Sequence, residues 1–326
     1  MDYFKNKKIL ITGIGGFVGG HLAVALLKRN ARVFGLSLSG LSDKSYLAIE
    51  GYGKNLHRSF ALSVADVVPI KRIFQTHRFD IVFHLAAQSL VEVGKADPTV
   101  TFETNVKGTW NILEVSRITN VRKVIVASTV HVYGDNPHVP FREEYFPQPS
   151  RPYETSKACA DLIAQSYADS FGMDIEIPRF GNLYGPGDIN YDRVIPKIIR
   201  QLVSGEQPKI WDVGAVRDFL FVEDAVRGYL MLSSKSLSRI RRGRVVNFGS
   251  GKPRTVVSVA RLLTELARSK PLIVLKRPPK ERKNEIKKQY LSIETAQKLL
   301  DWSPEISLQS GLIKTFSWYT NHRDTL

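Results

Sequence analysis

The sequence holds a single cysteine, Cys159, in 326 residues, so no disulfide can form within the chain. That scarcity fits a reducing compartment. The position of Cys159 in a helical stretch suits a small buried side chain better than a nucleophile. No apolar run approaches the ~20 residues needed to span a bilayer. The opening residues, Met1 to Lys8, are polar and charged and show no secretory leader, so a cytoplasmic location without membrane partners is expected. Acidic residues are short in supply, 31 against 47 basic ones, for a formal net charge of +16. Much of that excess lies in Arg239 to Arg244 and Lys276 to Lys288. A basic surface attracts nucleic acid, acidic lipid or small polyanions. No nucleic-acid motif accompanies it, and a nucleic-acid partner is not expected. No metal site is expected either.

What the chain has is a glycine turn close to its start. The apolar run Lys8 to Ile11 reads as a buried strand, and Val18, Leu22, Ala25 and Leu26 mark one face of a following helix. Gly13, Gly16 and Gly19 fall on the turn between them. A backbone without Cβ atoms can approach a pyrophosphate there, and the N–H groups at the helix start can bind it. Such turns also serve tight packing; as the first strand–helix unit of the chain, this one reads as dinucleotide binding.

Further short apolar runs at Val33–Leu36, Ile81–Leu85, Val124–Ala127 and Ile175–Ile177 alternate with helical stretches. This pattern predicts an α/β fold, a doubly wound parallel sheet of the Rossmann type, over residues 1–177. Ligands in such folds lie beyond the carboxyl ends of the strands. From Pro178 the pattern changes: glycines and prolines crowd Gly181 to Gly187. An amphipathic helix with Ile195, Ile198, Ile199 and Leu202 follows, and a last helix carries Leu312, Ile313 and Phe316. Residues 178–326 read as a smaller, mainly substrate-binding α/β domain, with some segments packing back on the first. The charged stretch Arg277 to Arg282 reads as an exposed loop.

Ser128 and Thr129 stand just past the Val124–Ala127 strand, and a helix begins near Tyr153. The spacing of Tyr153 and Lys157 puts both on one helical face, one turn apart. An ammonium near a phenol favours the phenolate, which makes a tyrosine usable as a base near neutral pH. The Thr129 hydroxyl can complete a proton path to a substrate alcohol.

At these residues the chain resembles the extended short-chain dehydrogenase/reductases that act on nucleotide sugars. The resemblance covers nearly the whole length. It rests on Thr12-Gly-Ile-Gly-Gly-Phe-Val-Gly19, His84-Leu-Ala-Ala87, Thr104-Asn105-Val-Lys-Gly108, Ser128-Thr-Val-His-Val-Tyr-Gly134 and the Tyr153/Lys157 pair. It continues through Arg179-Phe-Gly-Asn-Leu-Tyr-Gly-Pro-Gly187, Arg217-Asp-Phe-Leu-Phe-Val-Glu-Asp224 and Asn247-Phe-Gly-Ser-Gly251.

The resemblance implies that Tyr153 is the general base, Thr129 its hydroxyl partner, and Lys157 both the tuner of Tyr153 and a holder of the nicotinamide ribose. It assigns the cofactor to Gly13, Gly15, Gly16, Phe17, Val18, Gly19, Ser37, Ser63, Ala86, Ala87, Asn105 and Ser128 as well. The substrate side falls to Gln88, His131, Asn182, Arg193, Arg217 and Lys287. A guanidinium at Arg217 can fork onto phosphate oxygens; a salt bridge within the strand pair is its structural alternative. Ser37 stands where an NAD-selective fold usually places an acid, and Ser63 where an Asp often holds adenine. NAD is expected as cofactor, with NADP left open.

Family members that remove water between C5 and C6 carry an acid and a base directly after the catalytic hydroxyl; here these positions are Val130 and His131. A valine has no proton to give, which favours a nucleotide-sugar 4-epimerase working through a transient 4-keto sugar. His131 could still take a proton next to a ketone, or stand hydrogen-bonded in the wall of the site. The stretches Gln88 to Pro98 and Asp192 to Pro196 are similar to CDP-glucose 4,6-dehydratases, which keeps that reaction as the alternative. A non-catalytic dinucleotide sensor or RNA-binding protein would have no need of Thr129, Tyr153 and Lys157 together. The expected partner is a nucleotide-diphosphate sugar. The helix from Pro98 and the one carrying Tyr153 commonly pair with their copies in related proteins, so a homodimer is expected.

Overall fold

The computed structural model describes residues 2–211, 214–235, 244–268, 271–275 and 286–323. Most of both basic segments, and the whole Arg277 to Arg282 stretch, lie outside the described residues. Along the first half run β1 (Lys8–Thr12), β2 (Arg32–Ser37), β3 (Arg58–Ala61), β4 (Ile81–His84), β5 (Lys123–Val126), β6 (Ser128–Thr129) and β7 (Ile175–Phe180). There follow β8 (Asn182–Tyr184), β9 (Lys209–Trp211), β10 (Val216–Arg217), β11 (Phe219–Phe221) and β12 (Arg244–Phe248). The last are β13 (Arg254–Thr255), β14 (Ile273–Leu275) and β15 (Lys288–Gln289).

The main sheet has eight strands in the order β12-β7-β5-β4-β1-β2-β3, with β6 added beside β7. Every pairing in it is parallel. Strands such as Ile9–Thr12 and Ile81–Val82–Phe83–His84 are buried throughout, because helices cover both faces of the sheet. One apolar cluster joins Ile9, Ile11, Phe83 and Ile125 to helix Phe17–Leu27 and helix Val222–Ser234. The opposite face packs Leu10, Val82, Val124 and Val126 against Ile112, Leu113 and Ala164. The strand order reverses between β1 and β4, which leaves a crevice above their carboxyl ends.

Helix Pro152–Phe171 shows why these boundaries are sharp. Pro152 opens it, where a missing N–H costs nothing, and Gly172 closes it with φ +65°. The second half builds its own core from Ile195, Ile198, Ile199, Phe219, Phe221, Leu263 and Leu312. Two features bear on how the halves join. The expected boundary after residue 177 falls inside β7, which continues through Phe180. And β12, from the second half, pairs along its whole length with β7 and extends the first-half sheet.

Candidate active site

The cofactor side is built around contacts that exclude side chains. Gly13 has φ +74°, and a Cβ there would lie 2.8 Å from the Ala86 nitrogen and 2.9 Å from the Leu85 carbonyl carbon. Only glycine lets the turn after β1 rest on the end of β4. A Cβ on Gly19 would meet the Gly13 carbonyl and approach Ile14 Cα to 2.9 Å. Helix Phe17–Leu27 starts at Gly16 with no capping side chain and no acidic residue in its first turn. Its leading N–H groups, at Phe17 and Val18, are therefore suited to an anion. Gly15 sits across from Gly40 and Ser37. The Ser37 hydroxyl donates to the Gly40 carbonyl at 2.8 Å, which leaves its oxygen as an acceptor at the end of β2. Ser63 accepts from the Ala65 N–H at 3.1 Å. The cradle fits a dinucleotide.

Beneath it runs a buried hydrogen-bond chain. The Ala86 N–H donates to Thr12 Oγ1 at 3.1 Å, and Thr12 Oγ1 meets His84 Nδ1 at 2.8 Å. His84 Nε2 meets Thr109 Oγ1 at 3.1 Å, and that hydroxyl donates to the Asn105 carbonyl at 2.5 Å. Burial pushes the His84 imidazole down to about 3, so it is neutral. The Asn105 amide accepts from the Gln88 N–H at 2.8 Å and donates to the Gln88 carbonyl at 2.9 Å and to Ser156 Oγ at 2.9 Å. Ser156 in turn donates to the Tyr153 carbonyl at 2.7 Å. Asn105 lies in a wide π-turn, Glu103–Lys107. Both of its amide hydrogens are committed within the protein, so it braces the site. The Gln88 side chain is likewise engaged, donating to Leu90 and accepting from Thr101.

Tyr153 and Thr129 come together as expected: the phenol is hydrogen-bonded by the Thr129 side chain. Lys157 is buried, and its ammonium donates to the Ala127 carbonyl at 2.5 Å. Burial lowers it to about 8, against the pull of the Asp161 carboxylate. Burial raises the Tyr153 phenol above its ordinary range, and the influences that draw it down are the Arg193 charge and the Thr129 hydrogen bond. The Lys157 ammonium is directed at the strand end, and the charge that draws the Tyr153 phenol down is that of Arg193. Ser128 donates to Asp161 at 2.7 Å, and Asp161 also receives a two-pronged contact from Arg179 at 2.8 and 3.0 Å. This buried ion pair fixes β6 and β7 against the catalytic helix.

From the second half, Arg193 stands just before helix Val194–Val203 and pairs with buried Asp188 at 3.0 Å. Asn182 is half-buried at the start of β8, and its backbone N–H donates to the Asp218 carbonyl at 2.7 Å. Arg217 is buried and donates to the carbonyls of Val216 at 3.0 Å and Lys287 at 3.5 Å. Lys287 is exposed, and its carbonyl accepts from the Val216 N–H at 2.7 Å. Arg217 and Lys287 are therefore brought together.

Residues 9–249 match the NAD dependent epimerase/dehydratase family. The chain belongs to that family. It is an enzyme of the family, with NAD as cofactor, and the glycine cradle fits that group. It is similar to UDP-glucuronate 4-epimerase of Thermodesulfobacterium geofontis, with 31% identity over 95% of each chain. It is also similar to dTDP-glucose 4,6-dehydratase of Streptomyces griseus, at 30% identity over 97% of this chain and 94% of that one. Among solved structures, UDP-glucose 4-epimerase of Thermotoga maritima matches with a TM-score of 0.85 and 29% identity, covering 97% of this chain and 99% of that one.

Sequence reasoning missed Thr12, His84, Thr109, Asp161 and Asp218 as parts of the site's frame. Asp218 accepts from the Ser250 N–H at 2.6 Å and the Leu291 N–H at 3.4 Å, tying three separate segments together behind Arg217. Buried polar residues at strand ends were the available signal for them.

Proposed function

We propose that this enzyme is a nucleotide-sugar 4-epimerase. Tyr153 takes the proton of the sugar C4 hydroxyl while Thr129 holds the phenol oxygen, and a transient 4-keto sugar forms. The chemistry NAD supplies when bound is reversible acceptance of a hydride. Lys157 stands one turn from Tyr153 to hold the cofactor ribose, and the Arg193 charge draws the phenol down against the burial that raises it. Arg217 and Lys287 hold the diphosphate end, and Asn182 contacts the sugar diphosphate from the β8 edge.

The observation that carries this reading is Val130, buried at 1% exposure directly after Thr129. An apolar side chain there offers no acid to a leaving 6-hydroxyl. The similarity to a 4,6-dehydratase at nearly the same identity supports the second reading, loss of water, with His131 as base. Products from a panel of UDP-, CDP-, GDP- and dTDP-hexoses, read by mass spectrometry and NMR, separate the two: an isomer of unchanged mass against a product short of one water.

The partner in this reading is a nucleotide-diphosphate sugar, in a cytoplasmic homodimer without nucleic-acid or membrane partners. Val100, Phe102, Trp110 and Leu162 are exposed on the helices expected to pair. A groove of about 590 Å³ lined by Val67, Trp110 and Ile163 lies on the same face. Among the described residues, no helix is long and apolar enough to cross a membrane. A single monomeric species by sedimentation would overturn the dimer.

A further inference from the structure

Strand β2 ends without an acid. In a doubly wound dinucleotide site the residue at that strand end discriminates between two cofactors that differ only by a phosphate on the 2′ position of the adenosine ribose. A carboxylate accepts from the 2′-hydroxyl of NAD and repels the phosphate of NADP, whereas a guanidinium pairs with that phosphate.

Here the last residue of β2 is Ser37, half-buried beside the glycine turn. The Gly13 N–H donates to the carbonyl of its neighbour Leu36 at 2.7 Å, which ties the turn to this strand end. A Cβ on Gly15 would lie 3.9 Å from both Cβ and Oγ of Ser37, so the hydroxyl borders the cradle directly. Its hydrogen is spent on the Gly40 carbonyl at 2.8 Å. The oxygen keeps a lone pair for a 2′-hydroxyl, and it carries no charge to turn a phosphate away.

The surroundings of Ser37 are small and neutral. Gly40 turns the chain with φ +80°, and a Cβ on it would meet only Ala61 Cβ, at 3.9 Å. Ala61 is exposed and stands opposite Ser37 in the β2–β3 register. Gly15, Gly40 and Ala61 thus bring no side chain longer than a methyl to this place. Among the described residues, the N–H groups of Leu38, Ser39 and Gly40 have no hydrogen-bond partner. Successive free N–H groups take up phosphate oxygens without help from a cationic side chain. The nearest charged residues that follow, Asp43 and Lys44, are exposed and opposite in sign. The formal net charge of +16 adds a general attraction for one more phosphate.

We propose that this site binds NADP about as tightly as NAD, with Ser37 as the residue that removes the discrimination. The inference concerns the cofactor pocket alone and holds whichever reaction the sugar undergoes. Either dinucleotide supplies the same nicotinamide, so the difference lies in binding at the adenosine end.

The test is competition at equilibrium. The full-length protein is loaded with radiolabelled NAD, which unlabelled NAD or NADP then displaces in equilibrium dialysis. The two dissociation constants should agree within about fivefold, less than 1.4 kcal/mol. Ser37→Asp should shift their ratio toward NAD by at least about tenfold, because a carboxylate then faces the phosphate. Ser37→Ala adds no charge and should leave the ratio within about threefold of the parent. Thermal midpoints give a second reading: saturating NAD and saturating NADP should raise that of the parent alike. Failure of NADP to displace NAD at roughly a hundredfold excess overturns the proposal on the parent protein alone. An unchanged ratio in Ser37→Asp overturns it as well. So does a gain in NADP binding of about tenfold or more in Asp43→Asn, which would make the loop carboxylate the discriminating acid. The product formed from nucleotide hexoses is read separately, so the 4-epimerase and this proposal can fail independently.

Discussion

Thr109 commits its hydroxyl hydrogen to the Asn105 carbonyl at 2.5 Å, and so must accept the Nε2–H of His84 at 3.1 Å. That fixes a neutral His84 in one tautomer, with Nδ1 accepting from Thr12 beside the glycine turn. Through Asn105 and Ser156 the same set of bonds reaches the backbone of Tyr153. His84 is therefore a positioning residue that ties the cofactor cradle to the first turn of the catalytic helix.

Replacing His84 by Leu leaves two buried hydroxyls without their partner, a loss of about 1–3 kcal/mol for each unsatisfied group. His84→Gln keeps one acceptor and one donor. Leu is expected to weaken NAD binding and lower kcat together, with Gln restoring most of both. Isothermal titration with NAD and steady-state kinetics check this, and equal effects of the two substitutions would contradict it.

Stability in acid follows from the same residue. His84 and His21 are held down to about 3 and about 4 by burial, while the unfolded chain protonates both near 6.5. Below that value the unfolded state binds more protons, so stability falls as pH falls, by about 1.4 kcal/mol per pH unit for each histidine. The loss from His21 ends near pH 4 and that from His84 near pH 3. Denaturant midpoints between pH 7 and pH 4 should show this slope, and His84→Gln should reduce it by one proton.

Tyr153→Phe removes the proton acceptor and leaves the helix start intact, since Ser156 holds the Tyr153 backbone. The expected fall in kcat is roughly a hundred- to ten-thousand-fold, with little change in thermal midpoint. Arg193→Met acts differently. It removes the charge that draws the phenol down, so the alkaline shift of the pH–rate profile, more than KM, is its signature.

Asp161 accepts from Ser128, Arg179 and Gln165 in a dry setting. Asp161→Ala leaves the Arg179 charge buried and unpaired, which costs about 3–5 kcal/mol. Thermal unfolding should show that loss. A variant as stable as the parent would mean that the ion pair is replaced by water.

The readable parts of this protein were those whose partners are close in sequence. Gly13, Gly16 and Gly19 sit within one turn, and Tyr153 and Lys157 share one helical face, so spacing alone exposed them. Strand β3 has the sequence Arg-Ser-Phe-Ala and a mostly exposed pattern at the sheet edge, so hydrophobicity did not announce it. Sheet membership of β12 depends on pairing with β7, some seventy residues earlier, which periodicity does not encode. The same distance hid His84, whose partner Thr12 is 72 positions away, and Asp218, whose partner Leu291 is 73 away. Lys157 was identified by spacing, but the direction of its ammonium depends on the end of β5, a tertiary fact.

The most direct test of the account is the product formed from nucleotide hexoses by the NAD-loaded enzyme. Mass spectrometry with proton NMR should find an isomer of unchanged mass, inverted at C4, and no such product with Tyr153→Phe. A product short of one water and carrying a 4-ketone would contradict the 4-epimerase and show elimination despite Val130.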